Sequence, residues 1–302
     1  MIEQVNSWIE RHSEGLVYSV YASFDLRVSE HKVAVVDANL FPSGFNNLCD
    51  SMIESGAKAL SIYVSTHFPG TKTITVFSEA HTRNDFYFLN LQALEKLIVQ
   101  AGYECVFAHP TFEGERDGIH FSLDNLFKAD LVISNNDFSV GYAELLEPLT
   151  APVIPKESLG WANRRKSHHF SIFKNLANSL ATVIDWDPWL FSTEFDVEQQ
   201  VNLRDPHSLD RIKNKASVLF AKLQRKHDEY HIDKTPTLFI KDDAGTYGMG
   251  IMTITNIDEL DHLNRKTINK MNVGKEHVIR DFIIQEGIPS SLTHKSAIAE
   301  PV

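Results

Sequence analysis

Thr237-Leu238-Phe239-Ile240-Lys241-Asp242-Asp243-Ala244-Gly245-Thr246-Tyr247-Gly248-Met249-Gly250-Ile251-Met252-Thr253-Ile254 reads as an apolar, β-branched strand ending in a lysine, a loop with glycines at 245, 248 and 250, and a second strand. Glycine reaches backbone conformations closed to other residues and lets N–H groups approach an anion. Lys241, fixed just ahead of the loop, supplies a point positive charge. That is the pattern of a phosphate cradle. A Walker loop is excluded, because Gly250 is followed by the strand-like Ile251, Met252 and Thr253 instead of Lys-Ser/Thr opening a helix. The dinucleotide fingerprint fails as well, since the glycines fall as G-x-x-G-x-G with no helix after them. What remains is a strand–loop–strand cover over a nucleotide, or a glycine-bearing hairpin with a surface lysine.

The length of 302 residues favours two domains. A composition of 43% hydrophobic and 23% charged residues is globular. The formal net charge of -11 argues against nucleic acid as the main partner, because that binding rests on neutralising phosphates. A small anion needs only a local basic site. No apolar run approaches the roughly 18 residues of a membrane helix, and the start lacks a signal sequence, so a cytoplasmic location is expected. Cys49 and Cys105 form no C-x-x-C and read as small buried apolar residues. The fourteen histidines show no metal-binding spacing, and no metal ligand or catalytic nucleophile is assigned.

Lys32 to Asp37 is a short branched apolar run and reads as a strand, followed by a loop with Asn39, Asn46 and Asn47. A helix near 45–66 leads to the strand Thr73 to Phe77 and a polar loop with His81, Arg83 and Asn84. Another helix, about 86–101, precedes the strand Glu104 to Ala108. A further strand, Asp130 to Ser134, ends in Asn135 and Asn136. Strands alternating with helical periods predict βαβ units and a mainly parallel sheet. Ligands of such sheets bind at the carboxyl ends of strands. Asp37/Asn39, His81/Arg83/Asn84 and Asn135/Asn136 are therefore expected along one edge, as a set suited to a small carboxylate-bearing ligand.

Two prolines in 151–155 mark the way out of this domain. A helix to about Ala181 then opens among Arg164, Arg165 and Lys166, where an anion at the helix start would relieve the unfavourable charge. Trp186 to Asn202 has no clear period and reads as irregular. The helix from about Ser208 to Tyr230 spreads its charges around its circumference, and Asn256 to about Asn269 reads as a polar helix. His277 to Ile288 is a strand whose end, Gln285 to Ile288, offers a backbone edge to a flat base.

Taken in order, these parts resemble the ATP-grasp superfamily: an α/β domain, a basic helix start, a strand ending in lysine before a small glycine loop, and a Gln-Glu hinge. Several stretches are similar to one branch, the bacterial ATP-grasp type of glutamate–cysteine ligase (gamma-glutamylcysteine synthetase). They are Val36 through Leu48, Glu79 through Asn84, Gly160-Trp161 through Ser167, Lys241 through Gly250, and Gln285 through Ile288 with Ala299-Glu300-Pro301-Val302.

The resemblance implies a Rossmann-like, pre-ATP-grasp parallel-sheet domain over 1–155 and an ATP-grasp α+β region over 156–302. It also implies a division of labour. Arg165, Lys166 and Lys241 would hold ATP phosphates, and Gly245, Thr246, Tyr247, Gly248, Met249 and Gly250 would close over them. Gln285, Glu286, Gly287 and Ile288 would meet the adenine. Asp37, Asn39, Asn46, Asn47, His81, Arg83, Asn84, Asn135 and Asn136 would be the glutamate side. ATP with Mg²⁺ would convert glutamate to an acyl phosphate that the amine of cysteine attacks, the first step of glutathione synthesis. The family takes its metal ligands from strands after the hinge, whereas this sequence stops at Val302, so the region is expected to be incomplete at its C-terminal end. An ATP-grasp ligase with another amino-acid substrate, and a catalytically incomplete nucleotide-binding protein, remain as alternatives. Oligomeric state is not readable.

Overall fold

The computed structural model describes residues 1–79, 86–139, 143–244, 250–263, 267–268, 271, 280–291, 293–294 and 297–298. The chain opens with helix α1 (Ile2–Ser13) and the strands β1 (Ser23–Val28) and β2 (Val33–Asn39), which pair in a sheet of their own. There follow α2 (Asp50–His67), β3 (Thr73–Phe77), α3 (Tyr87–Gln100), β4 (Glu104–Ala108), β5 (Gly114–Arg116), β6 (Ile119–Phe121), α4 (Asp124–Phe127), β7 (Leu131–Ser134) and β8 (Val153–Ile154). The remainder is α5 (Lys166–Ile184), β9 (Phe195–Val201), α6 (Pro206–Glu229), β10 (Thr237–Asp242), β11 (Ile251–Ile254), β12 (Arg280–Gly287) and the short pair β13 (Thr293–His294) and β14 (Ala297–Ile298). No helix among the described residues is long and apolar enough to cross a membrane.

These elements form two compact units. One comprises Val17–Ser23 and Asn39–Arg164, the other Met1–Leu16, Phe24–Ala38 and Arg165–Val302. The division read from the sequence, at 155/156, assigned the whole amino end to the first domain; by contacts α1 and most of the β1–β2 hairpin go with the later unit instead. The cause is the pairing of β2. It bonds to β1 alone and is no strand of the parallel sheet, so the expectation that Asp37 sits on that sheet's edge is corrected.

The first unit holds a six-stranded sheet in the order β5-β6-β4-β3-β7-β8, with β4, β3, β7 and β8 parallel. Both faces are covered, so β3 and β7 are buried on both sides, the hydroxyl of Thr75 being satisfied by the Asn125 carbonyl at 2.8 Å. Ile74, Val76, Leu131 and Ile133 pack with Ile53, Leu60 and Val64 of α2 and Leu91, Leu94 and Ile98 of α3. On the other face Phe77 and Val132 meet Leu126 and Phe138. Successive connections leave β3 towards β4 and β7 towards β8, so the carboxyl ends of β3 and β7 flank the topological switch point. The helix expected near 45–66 is a 3-10 turn, Phe45–Asn47, and then α2: Gly44 at φ 76° and the extended Leu48 and Cys49 break the helical path. Cys49 is exposed and Cys105 half-buried, so neither is the fully buried residue expected.

The later unit is built on an antiparallel sheet, β11-β10-β12-β9. Alternation along β10 and β12 sends Leu238, Ile240, Phe282 and Ile284 to one face. There they pack on Ile212, Ala216, Leu219 and Leu223 of α6, a single stripe of one helix. Asp205 caps that helix by accepting the Ser208 N–H, with Pro206 in its first turn. β9 falls where the sequence read as irregular, because it is an edge strand whose polar residues face outward. Of the helix expected over 256–269, Ile257–His262 is a 3-10 helix and Thr267 and Ile268 are α-helical, while 264–266 and 269 lie outside the described residues.

Gly160 has an ordinary φ of -69° yet no room for a side chain. A Cβ there would lie 2.8 Å from Phe138 Cβ and 3.0 Å from the carbonyl oxygens of Asp137 and Glu157. Gly160→Ala is expected to destabilise the protein by about 1–3 kcal/mol, the usual cost of overpacking, as measured by denaturant unfolding.

Candidate functional site

In the antiparallel unit, Lys241 pairs in register with Ile283 of β12 and Ile251 of β11, and Gln285 lies between Phe239 and Phe195. These residues share the sheet face opposite α6. Lys241 and Ile251 are the last ladder pair before the turn, so the glycine segment is the β10–β11 hairpin connection, the strand–loop–strand form read from the sequence. Gly245 to Met249 lie outside the described residues. Gly250 is described and takes a φ of 68°, open to glycine at little cost.

α5 delivers the second cation. Lys166 is 9% exposed, and its Nζ lies 3.0 Å from Asp37 of β2. Arg165 is the extended N-cap residue. The anion expected at this helix start is part of the chain itself. Asp243 accepts the Ser167 N–H at 2.7 Å and the Ser167 hydroxyl at 2.6 Å, and its carbonyl takes the Lys166 N–H at 3.0 Å. The residue after β10 is thus welded to the start of α5, and Phe170 one turn on brings its ring centroid to 5.9 Å from Lys241 Nζ.

Burial, with the neighbouring charge of Lys166, lowers the Lys241 pKa to about 8, against the pull of Asp37 and Asp243 and with a further push from Arg27. Asp25, on the same hairpin, is raised by burial and by Asp37, with Arg27 and Lys166 opposing. Lys166, Lys241 and Arg27 therefore share one small region with Asp25, Asp37 and Asp243. Asp25, Arg27 and Asp243 were not singled out from the sequence. β1 exposes Phe24 and Leu26 and turns Asp25 and Arg27 inward, the reverse of the usual reading of an alternating strand.

At the hinge, Gln285 is 1% exposed and its Oε1 has no partner among the described residues, while Nε2 donates to Thr193 Oγ1 at 3.4 Å. The Glu286 carboxylate points to the other face. It is held by Lys32 at 3.0 Å on both oxygens, by the Trp189 indole N–H at 3.0 Å and by the Glu194 N–H at 3.0 Å. Gly287 and Ile288 line a cavity of about 280 Å³ with Lys32, Trp189, His227 and Ile232.

The other unit carries the asparagines. Asn39 accepts the Phe41 N–H at 3.0 Å and donates to Ser43 Oγ at 2.9 Å. Asn46 and Asn47 sit on the 3-10 turn, 3.4 Å apart, side chain to side chain. Asn135 and Asn136 are buried at the switch point. Asn135 accepts from Tyr87 and donates to the Pro42 carbonyl, and Asn136 donates to the Ser78 carbonyl at 3.3 Å. Their amides brace the crevice. His81, Arg83 and Asn84 lie outside the described residues. At the end of β3, Glu79 is half-buried, and burial together with the charge of Asp137 raises its pKa to about 8, against a backbone hydrogen bond from Asp137.

Two titrations test this electrostatic picture. An anion bound at Lys241 raises that group's pKa, so binding of Mg-ADP near pH 8 is expected to take up about half a proton. Calorimetry in buffers of different ionisation enthalpy reads this uptake, and Lys241→Met abolishes it. For Glu79 the folded pKa lies above the unfolded one, so the folded state binds more protons between about 4.5 and 8. Its stabilisation is complete below that window and is lost as pH rises through it. Glu79→Gln is expected to narrow the gap in Tm between pH 5.5 and 8.5.

Comparison with known proteins identifies the chain. A family model for glutamate–cysteine ligase matches residues 1–117 and 110–302. The crystal structure of a provisionally assigned gamma-glutamylcysteine synthetase from Methylobacillus flagellatus KT superposes with a TM-score of 0.86 at 35% identity, over 96% of this chain and 73% of that one. A D-alanyl-alanine synthetase A from Vibrio cholerae O1 biovar eltor aligns at 12% identity and a TM-score of 0.36, over 72% of this chain and 59% of that one, too low to carry an argument. No protein of curated function matches. With the family model matching along its whole length and a solved structure alike over nearly all of it, the chain belongs to the glutamate–cysteine ligase family.

Proposed function

We propose that the protein joins the γ-carboxyl of glutamate to the amine of cysteine with hydrolysis of ATP to ADP and phosphate. The observation that carries the reading is Lys241, the last ladder residue of β10 ahead of the glycine segment, whose pKa is lowered to about 8 by burial and by the charge of Lys166. Such a group is poorly stabilised until an anion arrives, and perturbed lysines of this kind gather at functional sites. The buried, unpartnered Gln285 Oε1 on the same face supports a ligand with hydrogen-bond donors at the other end of the site.

A carboxylate is a poor acyl donor because its leaving group would be oxide. ATP supplies a phosphoryl group that turns the γ-carboxylate into a γ-glutamyl phosphate, from which the cysteine amine displaces phosphate. Lys241 and Lys166 neutralise the phosphate oxygens, and Lys166 exchanges Asp37 for phosphate as it does so. Gln285, through its side chain, and Ile288 meet the base, because the backbone of Glu286 and Gly287 is already paired with Glu194 and β10. Mg²⁺, when bound with ATP, would supply further charge neutralisation; among the described residues no cluster of three acidic, histidine or cysteine side chains is placed to hold it. Glutamate is taken at the carboxyl edge of the parallel sheet, by Asn39, Asn46 and Asn47 with Asn135 and Asn136, and the sequence assigns His81, Arg83 and Asn84 to the same substrate. The chain's own work is positioning and electrostatics, and it requires no protein nucleophile. Burial pushes the Cys105 thiol up and out of reactive range.

The test is ADP release from Mg-ATP with glutamate and cysteine, singly and together. Release is expected only with both, and Lys241→Ala is expected to lower kcat/KM at least about a hundredfold, ~2.7 kcal/mol of transition-state stabilisation. Release that needs a different acid or amine would replace the substrate assignment while keeping the ligase chemistry.

A further inference from the structure

The two ends of the glycine segment are held by one side chain that the proposed chemistry does not use. On the entry side Asp242 closes β10, and its Oδ1 accepts the Ala244 N–H at 2.9 Å. On the exit side Gly250 is pressed against Met271, so closely that a Cβ would lie 3.2 Å from the Met271 carbonyl oxygen. Arg280, the first residue of β12, reaches both. Its Nη1 donates to Asp242 Oδ2 at 3.3 Å and to the Met271 carbonyl at 3.3 Å. Both side chains of this ion pair are 8% exposed.

We propose that Arg280 is a positioning residue for nucleotide phosphates: it clasps the two flanks of the glycine segment and thereby fixes the aim of Lys241, the residue before Asp242. The inference rests on the phosphate-binding reading above. Stability does not explain the choice of residue, because a buried ion pair is often no better than well-packed apolar side chains. A guanidinium suits the task because its planar fork presents several donors in fixed geometry, which an ammonium does not. Arg280 touches the loop's anchors and acts through them. Lys241 and Asp242 are consecutive on β10, and both pair with β12, at Ile283 and Phe282. A shift of Asp242 therefore moves the lysine with it.

The test is calorimetric binding of Mg-ADP to the full chain, with thermal melting alongside, for Arg280→Gln and Arg280→Lys. Arg280→Gln is expected to raise the Kd for Mg-ADP at least tenfold, with KM for glutamate and cysteine within twofold of the parent. Arg280→Lys keeps the charge facing Asp242 and is expected to recover part of the loss. A general loss of stability would not split nucleotide from amino-acid affinity in this way. If Arg280→Gln does not fold, Arg280→Lys decides alone: a Kd raised at least threefold upholds the clasp. Folded variants that bind Mg-ADP within twofold of the parent, or that lose amino-acid affinity equally, overturn it. Failure of the parent itself to bind Mg-ADP would overturn the phosphate reading and the clasp together, a result distinct from equal binding by parent and variants.

Discussion

Lys32 and Glu286 are 254 positions apart in the chain, yet the ammonium lies 3.0 Å from both carboxylate oxygens, with the side chains 3% and 4% exposed. Such a pair is tolerated only when every remaining donor and acceptor is satisfied, because the cost of leaving water rivals the Coulombic gain. Here the indole N–H of Trp189 and the backbone N–H of Glu194 complete the carboxylate, and the Trp189 ring lies 4.1 Å beneath the ammonium. Burial still lowers the Lys32 pKa, with Glu286 pulling it back. β2 therefore has a fixed end at the hinge strand and a second at Asp37, whose carboxylate meets Lys166. Between these two ion pairs the hairpin has one place to lie, with Asp25 and Arg27 turned towards the lysines.

That constraint bears on what the hinge offers a ligand. Glu286 faces α6 with every lone pair engaged, whereas Gln285, its neighbour, faces the lysines with a carbonyl that has no partner. The period of two along a strand separates them. An acid beside the base would repel phosphate; an acid locked to Lys32 does not. Asp243 follows the same logic, since its carboxylate is absorbed by the start of α5. Asp37, partly exposed, is the acid paired with Lys166.

Much of this was legible in the sequence where one local cause dominates. The buried strands at 73–77 and 131–134 announce themselves by short runs rich in apolar and β-branched residues, and the β10–β11 turn by its glycines. The hairpin was not legible. Ser23 to Val28 alternates, but its apolar residues face out and its charges in, so the pattern fixes the strand and not its side. β2 reads as a parallel strand because an isolated branched run carries no record of its partner. Asp243 and Arg280 were invisible for a related reason: an acid after a strand and an arginine before one are ordinary residues until a contact across the fold gives them a task. Glu79 lay inside a recognised stretch, but its pKa depends on burial that no spacing encodes.

An overall charge of -11 would repel a triphosphate at long range. The local design answers this by desolvation. In water at physiological ionic strength charges are screened within about 8 Å, so the remote acids weigh little on Lys241 and Lys166, which are partly withdrawn from solvent and act through a lower dielectric. The same burial that costs Lys241 part of its affinity for a proton sharpens its attraction for an anion. A lysine on a strand is held for this purpose more firmly than one on the loop would be, because its backbone is paired on both sides, to Ile251 and to Ile283.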